Sequence, residues 1–368
     1  MRSALVLVCI AVFAVATTRA ADSTSRTGTV EKITVHGASL EGNLEGDSAD
    51  RAVFVYLPPS YKTAPTRRYP VVYLLHGYGL TGERWMSFAK LAEGADTDIA
   101  NGTMREMILV NPDAFTKYDG SMYSSSPTTG DWETFIAQDL VKYVDSHYRT
   151  IATRASRGLG GHSMGGYGTI RIGMKRPDVF SSLYIMSACC LLTDPGAARG
   201  RAAGDRGTAT SSAEPPARGA APSEGRAQGA ARGRGNGFGN AQAAQAAAWA
   251  PNPTNPPLFY DLPVKDGEVQ PLVRAKFLAN SPLAMVDQYV TGLKKYQAIA
   301  QEVGTQDTLA ESNRQLDREL TAVGVQHTFE TYEGDHTNRV VERIAMKVLP
   351  FFSQQLSFGK STRATATR

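Results

Sequence analysis

Residues 160–166 read Gly-Gly-His-Ser-Met-Gly-Gly, and within them Gly161-His162-Ser163-Met164-Gly165 forms a complete G-x-S-x-G. This pattern sets a serine on a sharp turn from a strand into a helix. The hydroxyl then stands in the open, and the helix N-terminus aims backbone N–H groups at the same spot. Small residues are needed two positions either side, because larger ones would strike the adjoining strand and helix. A serine hydroxyl is a poor nucleophile at its own pKa. Chemistry at Ser163 therefore requires a base within hydrogen-bond reach, a third group to orient that base, and donors for a developing oxyanion.

The chain offers six histidines as bases. His76 follows an apolar run in Leu74-Leu75-His76-Gly77-Tyr78-Gly79, where a histidine shapes an oxyanion loop. His162 adjoins Ser163, and neighbours on a turn point apart. His36, His147 and His327 fall in or beside regular elements. His336 differs, standing in the loop Glu333-Gly334-Asp335-His336 between an extended run and the last helical stretch. Loops at the C-terminal ends of strands collect functional groups in open α/β sheets, so His336 is the candidate base. Asp307 lies four residues past Val303, the end of another extended run, with a helical pattern directly after it. On that segment alone a helix N-cap explains Asp307 equally well. The chain order serine, acid, histidine, which goes with this kind of turn, favours Asp307 as the orienting acid. Asp335 is too close along the chain to orient His336, and Glu302 falls within the strand. The N–H of Met164 supplies one oxyanion donor and Tyr78 the second, with Gly77 and Gly79 letting the backbone approach. Each such donor is typically worth ~3 kcal/mol of barrier.

Positioning these groups requires a strand before Ser163 and a helix after it. Residues 156–159 suit a short buried strand, and 167–176 a helix with Ile170 and Met174 four apart and Pro177 ending the run. Extended runs occur at 29–36, 52–57, 71–75 and 107–110, the last two continuously apolar as in strands covered on both faces. Residues 135–148 carry a helical apolar stripe, and 180–187 form another buried strand. Further on, 296–303 and 325–332 are strand-like, while 308–323 and 339–356 are helical. This alternation implies an α/β domain with a mostly parallel sheet and helices on both faces.

One segment departs from that pattern. Residues 193–257 are Ala, Gly, Arg, Pro and Ser with almost no large apolar side chains, and are expected to form a disordered insertion within a single domain. Its stretch 194–250 holds seven arginines against four acids, a surplus of three in a chain whose net charge is +4. The remainder is close to neutral, so no nucleic-acid partner is indicated. At the N-terminus, Arg2, the apolar run 4–16 and Thr18-Arg19-Ala20 have the form of a signal peptide cleaved after Ala20. A periplasmic or secreted protein without stable membrane insertion follows. The domain would span 21–356, with 357–368 a flexible tail. Of three cysteines, Cys9 lies in the signal, and the adjacent Cys189 and Cys190 read as two buried thiols at a strand end rather than a strained vicinal disulfide. No H-E-x-x-H, no Cys/His cluster with ligand spacing and no G-x-G-x-x-G after a strand is present, so neither metal nor dinucleotide cofactor is expected.

Taken together, the stretches 51–61, 69–77, 131–135, 160–168, 304–307 and 334–336 resemble the esterase D family of α/β-hydrolases. That family includes feruloyl and acetyl-xylan esterases, S-formylglutathione hydrolases and mycolyl transferases. The resemblance covers about residues 28–356 apart from the insertion. It implies an α/β-hydrolase fold with Ser163 as nucleophile, His336 as base, Asp307 as orienting acid, and Tyr78 and Met164 as oxyanion donors. An esterase acting on carboxylic esters, including acyl groups on carbohydrates, is the expected function. Acyl transfer to a sugar is the alternative, and a non-catalytic binding protein a third reading. The chain departs from the family at the insertion, which leaves the sheet at the same end as Ser163, and at His162, where many relatives have leucine.

Overall fold

Val71, Tyr73 and Leu75 face one hydrophobic core while Val72 and Leu74 face another, and all five are buried. Each of the valines and leucines contributes about 1.5–3 kcal/mol on burial. A strand apolar on both faces belongs inside a sheet covered on both sides. The computed structural model, which describes residues 27–192 and 237–359, places it there.

Eight strands form one sheet: β1 (Thr29–His36), β2 (Asp50–Leu57), β3 (Val71–Leu75), β4 (Ile108–Pro112), β5 (Arg157–His162), β6 (Ser182–Met186), β7 (Ala298–Gly304) and β8 (Thr328–Tyr332). Their spatial order is β1-β2-β4-β3-β5-β6-β7-β8. β2 runs antiparallel to both β1 and β4, and every other pairing is parallel. On one face lie α1 (Gly82–Phe88), α2 (Leu91–Asn101) and the closing helical stretch. On the other lie α3 (Leu140–His147), α4 (Met164–Lys175), α5 (Gly237–Trp249), α6 (Pro271–Ala279), α7 (Pro282–Leu293) and α8 (Ala310–Ala322). The proline at the first position of α6 and of α7 suits a helix start, where its missing N–H is no loss.

The expected α/β-hydrolase architecture is present, with strand ends shifted by a few residues. The stretches expected to be helical at 135–148 and 339–356 are so, and each contains a π-helical segment, at Phe135–Asp139 and Ile344–Val348. Parallel register brings Leu75 beside Gly161, His162 beside Met186, and Gly304 beside Tyr332. The loops that follow these residues therefore emerge at one end of the sheet. All the candidate site residues lie at or beyond that end.

Two expectations about disorder need correction. The insertion was expected to be unstructured from 193 to 257. Residues 193–236 lie outside the described residues, but from Gly237 the chain forms α5, and Ala244, Ala246, Ala247, Ala248, Trp249 and Ala250 are all buried in the core. Composition averaged over the whole insertion concealed this end of it. Alanine is the best helix former and lets a helix approach the core closely, and Trp249 supplies the apolar anchor. Similarly, Ser357 and Phe358 of the expected tail are held: Ser357 N–H donates to Ala155 C=O at 2.8 Å, and the Arg105 guanidinium lies 3.4 Å from the Phe358 ring centroid. The rest of the tail from 360, and the expected signal at 1–20, lie outside the described residues. Among the described residues, no helix is long and apolar enough to cross a membrane.

Candidate active site

Ser163 sits between β5 and α4 with φ 58° and ψ −113°, the left-handed strain a tight strand-to-helix turn imposes. The two flanking glycines are required sterically. A Cβ on Gly165 would lie 2.0 Å from the Leu75 carbonyl oxygen, and one on Gly161 2.5 Å from the Gly165 backbone. The turn is pinned by Ser163 N–H to Met186 C=O at 3.0 Å, while Ser163 C=O accepts from Tyr167 at 3.0 Å and Cys189 at 3.2 Å.

Beyond β7, the loop carrying Asp307 is tied to the loop carrying His336. Thr305 N–H donates to Tyr332 C=O at 2.8 Å and Gln306 N–H to Gly334 C=O at 3.0 Å. As a result His336 Nδ1 lies 2.8 Å from Asp307 Oδ2, and His336 Nε2 lies 2.9 Å from Ser163 Oγ. The Asp307 side chain is fully buried, while that of His336 is a third exposed. Burial alone would raise the Asp307 pKa. The bonds from the His336 ring and from Leu309 N–H, at 2.9 Å, outweigh burial and hold it below the usual carboxylate value. Asp307 thus also bonds the residue just before α8, but the N-cap of that helix is Leu309 and not Asp307. A hydroxyl bonded to an imidazole whose other nitrogen faces a buried carboxylate is the arrangement a serine needs to lose its proton during attack.

The loop after β3 approaches from the other side. Gly77 passes so close that a Cβ there would lie 3.4 Å from the Ser163 Cβ. Buried His76 anchors it: its Nε2 accepts from Ala114 N–H at 2.8 Å, which makes Nδ1 the donor to Gly77 C=O at 2.9 Å. Burial pushes the His76 pKa down, in keeping with this neutral form. Gly79, at φ 76°, donates to Asp119 C=O, and Tyr78 Oη donates to Tyr118 C=O at 3.0 Å. Met164 opens α4, so its N–H is one of the helix's unshared donors beside Ser163.

The remaining candidates are accounted for elsewhere. Glu302 is buried against Arg343 and the Tyr184 hydroxyl. Asp335 accepts from Thr337 and Asn338 N–H. His36 lies between Asp50 and Glu41, His147 stacks on Tyr143, and His327 faces Asp317. Of the aromatic residues near the loops, Trp85, Tyr123 and Trp132 are core, and Tyr78 and Tyr118 are half-buried. Cys189 and Cys190 are half-buried thiols, less covered than expected. Among the described residues no group of three or more His, Cys, Asp and Glu could hold a metal.

His162 is the residue sequence reasoning undervalued. Its ring stacks on Trp85 with 10° between planes, and its Nε2–H donates to the His336 backbone carbonyl at 2.8 Å. Burial, and then the nearby His336 ring, push its pKa down to about 4, so it is neutral near pH 7. No local signal marks this contact, which joins residues 174 apart.

Comparison with known proteins agrees with this fold. An endo-1,4-beta-xylanase/feruloyl esterase of Xylanibacter ruminicola is 30% identical over 136 residues, 36% of this chain and 19% of that protein. An esterase of Mycobacterium tuberculosis is 34% identical over 131 residues, 35% of this chain and 27% of its own. The matches thus span about a fifth to a quarter of these relatives. Among solved structures, a ferulic acid esterase superposes with a TM-score of 0.62 at 21% identity, covering 90% of this chain and 99% of its own. An S-formylglutathione hydrolase from Agrobacterium tumefaciens gives 0.57 at 14% identity, over 91% and 98%. The family model described as "Putative esterase" matches residues 48–340, and with most of its length so matched the chain belongs to that esterase family.

Proposed function

We propose that this chain is a serine hydrolase of carboxylic esters that works through an acyl-enzyme. The observation that carries the reading is the unbroken relay from Ser163 Oγ through His336 to Asp307, with spacings of 2.9 and 2.8 Å. His336 Nε2 takes the Ser163 proton as Oγ bonds to the ester carbonyl carbon. The carbonyl electron pair moves onto oxygen, where the N–H groups of Met164 and Tyr78 receive it, each for about 3 kcal/mol. Collapse expels the alcohol, which leaves with the proton from His336. Water then repeats the sequence on the acyl-enzyme and restores Ser163. Asp307 stays ionised throughout, in keeping with its lowered pKa, and holds the imidazolium that forms.

For substrate we propose a small or aromatic acyl group esterified to a carbohydrate. Two of the compared proteins are named for ferulic esters. Tyr78, Tyr118 and Tyr260 cluster beside the turn, with the Tyr118 and Tyr260 rings 5.5 Å apart, and offer flat surfaces for such a group. An exported location, from residues 1–20, fits that substrate. The test is fluorophosphonate labelling and p-nitrophenyl acetate turnover of wild type and Ser163→Ala. The variant is expected to lose the label and about 10⁴-fold or more in rate. Turnover retained at the wild-type rate would overturn the assignment. Adding sugar acceptors and analysing products separates hydrolysis from acyl transfer.

A further inference from the structure

Just past β6, at the end of the sheet that carries Ser163, two thiols meet. The Cys190 Sγ–H donates to Cys189 Sγ across 2.7 Å. The pair touches the Ser163 turn on one side and α5 on the other. Cys189 N–H donates to Ser163 C=O at 3.2 Å, while Gln245 of α5 donates from Nε2 to Cys190 Sγ at 3.3 Å. The backbone is already set for an unusual geometry, with φ 43° at Ser187 and 60° at Cys190. A disulfide bond is about 2.05 Å long, so closing it asks less than 1 Å of sulfur movement.

Such a bond would be strained. Neighbouring α-carbons on a trans peptide are about 3.8 Å apart, below the roughly 4.4–6.8 Å of ordinary disulfides. Strained disulfides have higher reduction potentials and are readily reopened, which is the property of a switch rather than of a structural staple.

We propose that Cys189 and Cys190 are a reversible dithiol–disulfide site, oxidised by small-molecule disulfides, whose closure loosens α5 beside Ser163. One cysteine thiolate attacks a sulfur of the oxidant and releases one thiol, leaving a mixed disulfide. The neighbouring thiolate attacks that bond, closes the ring and releases the second thiol. The protein loses two protons and two electrons, and the oxidant gains both. Ring closure draws the Cys190 sulfur toward Cys189 and weakens its bond from Gln245 Nε2. α5 then sits less firmly against this end of the sheet, and substrate binding weakens while the Ser163–His336–Asp307 relay stays in place.

The chemistry of the pair stands apart from the esterase reading, and only the effect on substrate rests on it. Full-length protein, with Cys9→Ser to remove the remaining thiol, is reduced, exchanged into oxidised glutathione, alkylated and analysed by intact mass and peptide mapping. The expected result is a loss of two hydrogens confined to the peptide holding Cys189 and Cys190, with no lasting glutathione adduct, reversed by dithiothreitol. Cys190→Ser should instead hold one glutathione. Two alkylatable thiols, or two stable adducts, would overturn the site. On p-nitrophenyl acetate the oxidised form should show a KM raised several-fold with kcat little changed, and Cys189→Ser/Cys190→Ser should show no response to oxidant. A disulfide that forms without moving KM would overturn the coupling to α5.

Discussion

The Ser163 turn and the α5 segment lie at the same end of one sheet, yet they are built by different means. At the turn, geometry comes from the strands. β3, β5, β7 and β8 run parallel in register, and each delivers one loop: Tyr78, Ser163, Asp307 and His336 in turn. Gly161 and Gly165 are fixed by backbone a few ångströms away. At α5 no strand of the eight-stranded sheet sets the position. The helix is held by side chains reaching across the fold: Trp249 Nε1–H to Ser124 Oγ at 3.2 Å, Ser126 Oγ–H to the Ala247 carbonyl at 2.6 Å, and the Trp249 ring edge-on to Phe277. The first region is specified by local sequence and the second by distant packing. The Ser163 turn and the packing of α5 should therefore fail separately.

Asp307→Asn should show the first kind of failure. Asparagine keeps the shape but offers no charge to the imidazolium and favours the wrong histidine tautomer. A kcat loss of about 10³–10⁴ is expected, with a thermal midpoint close to wild type. A kcat within tenfold of wild type would mean that the relay does not run through Asp307, and that the residue serves chiefly the turn just before α8.

Trp249→Ala should show the reverse. Removing a fully buried tryptophan from between Tyr167 and Phe277 costs about 3–5 kcal/mol. Urea unfolding should register that loss, and the surviving folded fraction should keep most of its kcat with a raised KM. An unmoved unfolding midpoint would show that α5 is not part of the core, and would erase the contrast between the two regions.

What could be read in advance follows the same division. That Ser163, Asp307 and His336 come together was legible because each lies in a short local pattern and the three come in a fixed order along the chain. The alternation of apolar runs gave the sheet for the same reason. α5 was hidden because its alanines bury little area each, and only Trp249 tells them from the low-complexity sequence before them. The insertion's composition argues against order until the surfaces of Tyr167, Ser124 and Phe277 are there to receive it. His162 was hidden differently. Its position next to the serine was plain, but its partners Trp85 and His336 are brought to it by the fold.

His162 stands between the two regions, a residue of the motif that acts through a distant contact, and its titration gives the smallest and sharpest test. In the folded chain its pKa is about 4, against an ordinary value of 6.5, because burial and the His336 ring disfavour its charged form. The unfolded chain binds this proton below pH 6.5 and the folded chain does not until near pH 4. Between those values the unfolded state holds more protons, so stability falls as pH falls, by up to about 1.4 kcal/mol per pH unit from this group alone. Above pH 6.5 both states are neutral at this position and the slope vanishes. His162→Leu has no proton to bind and should lose that part of the slope, which urea midpoints at pH 7.5, 6.0 and 5.0 would read. At pH 7.5 the same variant frees the His336 carbonyl, so kcat should drop several-fold, and His162→Gln, which can still offer an N–H, should recover part of it. Equal slopes in wild type and His162→Leu would mean that the imidazole takes up its proton in the folded chain as easily as in water. The stacking on Trp85 and the bond to His336 would then not constrain it, and the serine motif would end, as its sequence first suggests, at its glycines.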